Sequence, residues 1–123
     1  MCSSDLRGIL RVTRHPVMWG IALWAASHVA ARGDLAAIVF FGTFLVLALS
    51  GTLLIDLRKA AALGEDWRRY AAVTSNLPFG AILGGRTRLA PREIGWWNVL
   101  IAIALYLALL QLHPLLFGVR PLL

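Results

Sequence analysis

Residues 35–55 contain no Asp, Glu, Lys or Arg, and this one stretch limits the chain more than anything else in it. As a helix it rises about 31 Å, which matches a bilayer hydrocarbon core of about 30 Å. Inside lipid each backbone N–H and C=O must be satisfied by the chain itself, so a spanning segment of this kind is helical. Two further apolar runs flank it. Residues 96–119 are long enough to span with tilt. Residues 17–31 rise only about 22 Å and need local thinning of the bilayer, or Arg32 snorkelling outward. Ala31-Arg32-Gly33-Asp34 reads as a tight hairpin between the first two runs. The expected fold is therefore all-α: a polytopic membrane helical bundle with three transmembrane helices and a helical loop.

Composition agrees, since 59% of the residues are hydrophobic and 15% charged, with mean hydropathy +0.75. Soluble domains sit near 45–50% and about 25%. The 123 residues hold one domain. A net charge of +6 raises nucleic acid as a partner, but the basic residues lie between apolar runs and form no basic face with interleaved aromatics. They act as topology signals. Arg7, Arg11 and Arg14 precede the first helix, and Arg58, Lys59, Arg68, Arg69, Arg86, Arg88 and Arg92 fill the loop 56–95. Only Arg32 and Arg120 lie on the other side. Positive-inside counting puts the N-terminus and the loop in the cytoplasm and the C-terminus across a bacterial inner membrane. Trp19, Trp96 and Trp97 then mark the inner interface. Within the loop, residues 56–63 and 65–73 read as two short surface helices divided by Gly64, with Glu65 and Arg69 spaced for an i,i+4 pair. Residues 79–83, closed by Gly84-Gly85, are too short to span and suit the interface. Cys2 has no partner in the chain, no internal disulfide exists, and the residue receives no role.

Arg14-His15-Pro16 stands at the foot of the first helix, which carries a second histidine, His28. An imidazole in a membrane span faces the bundle interior and takes a partner or a metal. His15 precedes proline, which pushes it out of the α region and suits a helix cap. His15 and His28 are separated by about 20 Å along one helix and cannot face one iron together. His113 lies about 25 Å above Trp96, against about 14 Å for His28 above Trp19, so the two stand at different heights unless tilt closes the gap.

Gly8-Ile9-Leu10-Arg11-Val12-Thr13-Arg14-His15-Pro16-Val17-Met18-Trp19-Gly20, then Trp24 and His28, Gly64-Glu65-Asp66, Thr74-Ser75-Asn76-Leu77-Pro78-Phe79 and Arg86 resemble the NnrU family of membrane proteins. The resemblance covers residues 7–123, and residues 1–6 match nothing in it. It implies a link to denitrification, to the expression or activity of nitrite and nitric oxide reductases, and a similarity to ζ-carotene isomerase. The isomerase resembles a b-type haem protein whose haem histidine, carried over by its spacing from the Arg-His-Pro motif, falls on His28. A cysteine close before that histidine has no counterpart here, because position 25 is Ala25. Family members usually begin with further transmembrane helices, one bearing another histidine, so an incomplete gene product and a second ligand from outside this chain are expected. The resemblance makes His28, Arg14 and His15 the cofactor-binding candidates and His28 the ligand of haem b.

Arg-His-Pro followed four residues later by Gly20 also resembles membrane methyltransferases that use S-adenosylmethionine. There, Arg14, His15, Gly20, Glu65 and Tyr70 would line a cytoplasmic site. Met18-Trp19 displaces the expected aromatic residue, and the paired glutamates are reduced to Glu65-Asp66. A third class, a non-catalytic membrane scaffold for respiratory reductases, requires only the helices and the basic loop. Partners under these readings are the bilayer, reductase components or a second copy of the chain.

Overall fold

The computed structural model describes residues 6–121. Among these the order is a short 3-10 helix (Gly8–Arg11), then α1 (Pro16–Arg32), α2 (Leu35–Leu63), α3 (Glu65–Val73), α4 (Gly80–Leu83), α5 (Pro91–Ile94) and α6 (Trp96–Phe117). No strand occurs among the described residues, so the all-α expectation holds.

Helix α1 begins at Pro16, whose missing N–H is no loss in a first turn. His15 precedes it outside the α region (φ −125°, ψ 59°). The helix stops at Gly33, left-handed at φ 65°, whose N–H bonds back to the Val29 carbonyl at 3.0 Å. Asp34 then caps α2 by accepting a hydrogen bond from the Ala37 N–H at 3.0 Å, and Arg32 Nε reaches the same carboxylate at 3.2 Å. Four consecutive residues thus close one helix and open the next, as the hairpin expectation required.

The α1–α2 pair is the main packing unit, and small residues make it. Ala22 and Ala25 on α1 are buried, as are Ala37, Ala48 and Thr52 on α2. At Gly51 a β-carbon would lie 3.6 Å from Met18 Sδ. Small side chains let backbones approach, and dispersion then replaces a hydrophobic drive that lipid does not supply.

Helix α2 and helix α6 are long and apolar enough to cross a membrane. Helix α1, with 17 residues, is shorter than these, so two of the three expected spans have the length and composition to cross a membrane. No residue of α6 is buried. An apolar helix left uncovered by its own chain needs apolar surroundings, and a bilayer supplies them.

Two expectations are corrected. Residues 56–63 form no separate surface helix; they are the last turns of α2, because nothing between Ile55 and Gly64 interrupts helical backbone. At about 43 Å, α2 outruns the hydrocarbon core, so Asp56, Arg58 and Lys59 lie beyond the apolar run. Helix α6 ends at Phe117, two residues short of the expected limit, because Gly118 turns left-handed (φ 69°) and its N–H closes on the Pro114 carbonyl.

Beside the Asp56 end of α2, α3 turns Trp67 and Tyr70 inward against Leu6, with Leu10, Ala71 and Val73 around them. Arg86 Nη1 donates to the Ala71, Ala72 and Thr74 carbonyls at the end of α3, where a helix leaves acceptors open. Arg11 and Glu93 form a two-pronged ion pair, and Glu93 also accepts the Gly8 N–H at 2.9 Å. These bonds hold the N-terminal 3-10 helix against α5.

Candidate functional site

The Arg14-His15-Pro16 motif meets α2 at Asp56. His15 Nε2 donates to Asp56 Oδ1 at 2.6 Å, while Arg14 Nε donates to Oδ2 at 3.1 Å. Asn76 Nδ2 adds a longer bond to Oδ2 at 3.3 Å. Arg14 also donates to Thr74 Oγ1 at 3.0 Å and stacks its guanidinium 5.3 Å from the Trp67 ring. The Asn76 carbonyl accepts from Thr13 Oγ1 at 2.6 Å and from Trp19 Nε1 at 2.8 Å. The knot is shielded: side-chain exposure is 6% for His15, 14% for Arg14 and 18% for Asp56. No buried side-chain nitrogen or oxygen among the described residues lacks a partner.

This geometry changes the reading of three residues. His15 is the N-cap of α1 by position, since Trp19 N–H bonds its carbonyl, yet its ring caps nothing and goes to Asp56. Arg14 spends its donors inside the chain. Trp19 anchors to the Asn76 carbonyl rather than standing free at an interface, whereas Trp96 and Trp97 are widely exposed. Asp56 was missed by sequence reasoning, although a signal existed: an acid directly after a charge-free apolar run needs a cation or donor nearby.

The other residues of the methyl-transfer reading do not converge on this knot. Gly20 has open space around it, and Glu65 pairs along its own helix, with Arg68 at 2.7 Å and Arg69 at 3.9 Å. The anticipated i,i+4 pair is thus the weaker of two. Tyr70 is buried against Trp67, which pushes its phenol above the ordinary range.

His28 belongs to a second cluster, toward the opposite end of α1. Its ring centroid lies 5.1 Å from Trp24, 4.6 Å from Phe41 and 6.3 Å from His113. Phe44 and Phe40 extend the aromatic group along α2, and Phe117 packs 4.8 Å from His113. His28 Nδ1 donates to the Trp24 carbonyl at 2.8 Å, and His113 Nδ1 donates to the Val119 carbonyl at 2.7 Å. Each Nε2 has no hydrogen-bond partner among the described residues.

The height argument that separated His28 from His113 is overturned. It assumed that Trp19 and Trp96 stand at one level, but Trp19 is drawn onto the loop carbonyl of Asn76. The two rings come within 6.3 Å between centroids, so the separation inferred from the tryptophan levels does not hold. His15 remains distant from this cluster, as the helical rise demands. Ala25, at the position of the isomerase-type cysteine, is fully buried in the α1–α2 contact. Among the described residues no three His, Cys, Asp or Glu side chains gather to hold a metal; the two imidazoles are the donor set available. Cys2 lies outside the described residues.

The sequence profile of the family described as NnrU protein matches residues 2–121. The chain is 33% identical over 114 residues to the chloroplastic 15-cis-zeta-carotene isomerase of Arabidopsis thaliana, covering 90% of this chain and 31% of that protein. It is 34% identical over 82 residues to the isomerase of the same name from Zea mays, covering 67% of this chain and 22% of that protein. The chain thus spans a third or less of the length of these relatives. No solved structure matches.

Proposed function

This chain belongs to the NnrU family, and from that premise we propose that it is a haem-binding membrane component of nitrogen-oxide metabolism, acting with nitrite and nitric oxide reductases, with His28 as an axial ligand. His28 is the observation that carries the reading. Its Nδ1–H is held by the Trp24 carbonyl at 2.8 Å, which leaves Nε2 as the lone-pair nitrogen of the neutral ring. Metal-bound histidines have this second bond as a rule, because it fixes the tautomer and makes the ligand more basic. Trp24 and Phe41 pack on the ring and form an aromatic wall of the sort that tunes a metal site.

A bound haem b would supply a redox-active iron. The chain's own residues would do the rest: His28 would give the nitrogen, and the Trp24 carbonyl orients the ring. Arg14, His15 and Asp56 serve this reading as positioning residues that anchor the start of α1. The methyl-transfer alternative finds less support, because Arg14 and His15 are committed to Asp56 and Glu65 to its own helix.

The test is a pair of absorption spectra, oxidised and reduced, of the chain purified in mild detergent from haem-replete cells, beside His28→Ala. A Soret band that shifts on reduction and is lost in the variant supports the reading; an unchanged band and haem content in the variant refute ligation by His28.

A second reading has its own observation, the 33% identity to a 15-cis-zeta-carotene isomerase over 90% of this chain. An open apolar face of α2 lined by Leu35, Val39, Phe40 and Phe44 adjoins the His28 cluster, since Phe44 packs on Trp24, and such a face suits an apolar substrate. Chromatography of a 15-cis polyene after incubation with the reduced protein decides it. Isomerisation that disappears in His28→Ala supports this activity, and none with the loaded protein removes it.

A further inference from the structure

Arg11, Arg86 and Arg88 line one open cleft of about 320 Å³ on the loop side of the bundle, together with Thr87 and the apolar Leu6 and Val73. No acid lines it among the described residues. Glu93 neutralises one of the three cations through its two-pronged bond to Arg11. Arg86 spends Nη1 on the Ala71, Ala72 and Thr74 carbonyls, while its Nε and Nη2 have no hydrogen-bond partner among the described residues. Arg88 makes no ion pair or hydrogen bond there at all. Two positive charges are thus gathered at one cleft with nothing from the described chain to offset them, and an anion with several acceptor oxygens answers that arrangement.

The position of the cleft supplies an independent argument. Arg11 is bound to Glu93 on α5, and the apolar α6 opens at Trp96 only three residues further on, so the cleft stands close to the level at which α6 enters lipid. The loop that supplies Arg86 and Arg88 also exposes Leu77, Phe79, Leu83 and Leu89. Apolar side chains of this kind gain by entering the acyl boundary, and basic residues beside them meet the headgroups.

We propose that this cleft binds the phosphate of an anionic phospholipid headgroup, with Arg88 and the unspent donors of Arg86 as the groups that hold it. Free phosphate shares the chemistry; the place of the cleft beside the lipid boundary selects the lipid. Arg11 is a positioning residue, since it bonds Glu93 and also donates to Thr87 Oγ1 at 3.2 Å, which ties the N-terminal 3-10 helix to both α5 and the Thr87 loop. The site is separate from the His28 cluster and does not depend on the haem reading.

The experiment is a calorimetric titration of the 123-residue chain, purified in neutral detergent, with short-chain phosphatidylglycerol and, separately, with phosphatidylcholine of the same chains. Phosphatidylglycerol is expected to bind the more tightly. Arg88→Gln is expected to weaken it about fivefold, the contribution of one basic residue near an anionic headgroup, and Arg88→Lys to fall between, because the charge stays and the planar fork is lost. Arg58→Gln removes one exposed charge outside the cleft and is expected to leave the affinity unchanged. Unfolding of Arg88→Gln in a denaturing detergent should match the wild type, since Arg88 holds no internal bond. Equal affinity for the two lipids overturns the proposal, as does an Arg88→Gln titration identical to the wild type. Equal weakening by Arg58→Gln overturns it in favour of diffuse surface charge. Displacement of phosphatidylglycerol by inorganic phosphate at equal concentration overturns the lipid and gives the cleft to free phosphate.

Discussion

Asp56→Ala is the most informative single change, because three side chains from two other segments end on one carboxylate. A solvent-exposed ion pair contributes about 0.2–1 kcal/mol, whereas removing one partner from a buried pair costs about 3–5 kcal/mol. Exposure decides between them. With His15 at 6%, Arg14 at 14% and Asp56 at 18%, the knot lies nearer the buried limit but keeps some water. Arg14 retains Thr74 and the Trp67 face after the change, which returns part of the loss. The expected destabilisation is about 2–3 kcal/mol, between the exposed and buried limits. Asp56→Asn preserves one acceptor and is expected to cost about half as much, a neutral partner replacing a charged one. Unfolding in mixed micelles titrated with a denaturing detergent measures both. A cycle with Arg14→Ala should show a coupling of about 1–2 kcal/mol, as residues in one network do. A cost below about 1 kcal/mol, the exposed-pair range, or additivity of the two changes, would refute the claim that Asp56 ties α1 to α2 and the loop.

Other consequences are separable. Ala25→Leu, at a fully buried position between α1 and α2, should overpack the hairpin and cost about 1–3 kcal/mol in the same titration; a neutral result would show that these helices are not in close contact there. Arg86→Ala should open three carbonyls at the end of α3, seen as faster hydrogen exchange in residues 71–75 with α1 unchanged. Glu93 is held at a pKa of about 2 by its bond to Arg11 and then by the Gly8 N–H. A carboxylate with a lowered folded pKa stabilises above its unfolded value and loses that contribution as pH falls through the folded one. Exchange protection of the 8–11 segment should therefore weaken between about pH 4.5 and pH 2, and Glu93→Gln should abolish that dependence.

Much of the fold was readable without coordinates, for local reasons. Charge-free runs in residues 35–55 and 96–119 have one solution in lipid, and Gly33-Asp34 is a stop and a start written side by side. Gly64 and Gly118 end helices where left-handed backbone is easiest for glycine. The candidate site was half readable: His28 stood out because an imidazole in an apolar segment needs a partner, and Arg14 and His15 because they form a motif. Neither partner could be assigned. Asp56 is 41 positions from His15, and nothing local says that a helix two turns longer than its apolar run will carry it there.

The division follows from the range of the forces. Element type, the helix ends and the apolar runs suited to lipid depend on neighbours a few residues away, so the chain declares them on its own. Register between helices depends on which small residues interlock and where a loop carbonyl captures an indole, and those are contacts across tens of residues. Trp19 is held by the Asn76 carbonyl across 57 positions, and the rings of His28 and His113 come within 6.3 Å between centroids. Neither contact is visible in any window of sequence.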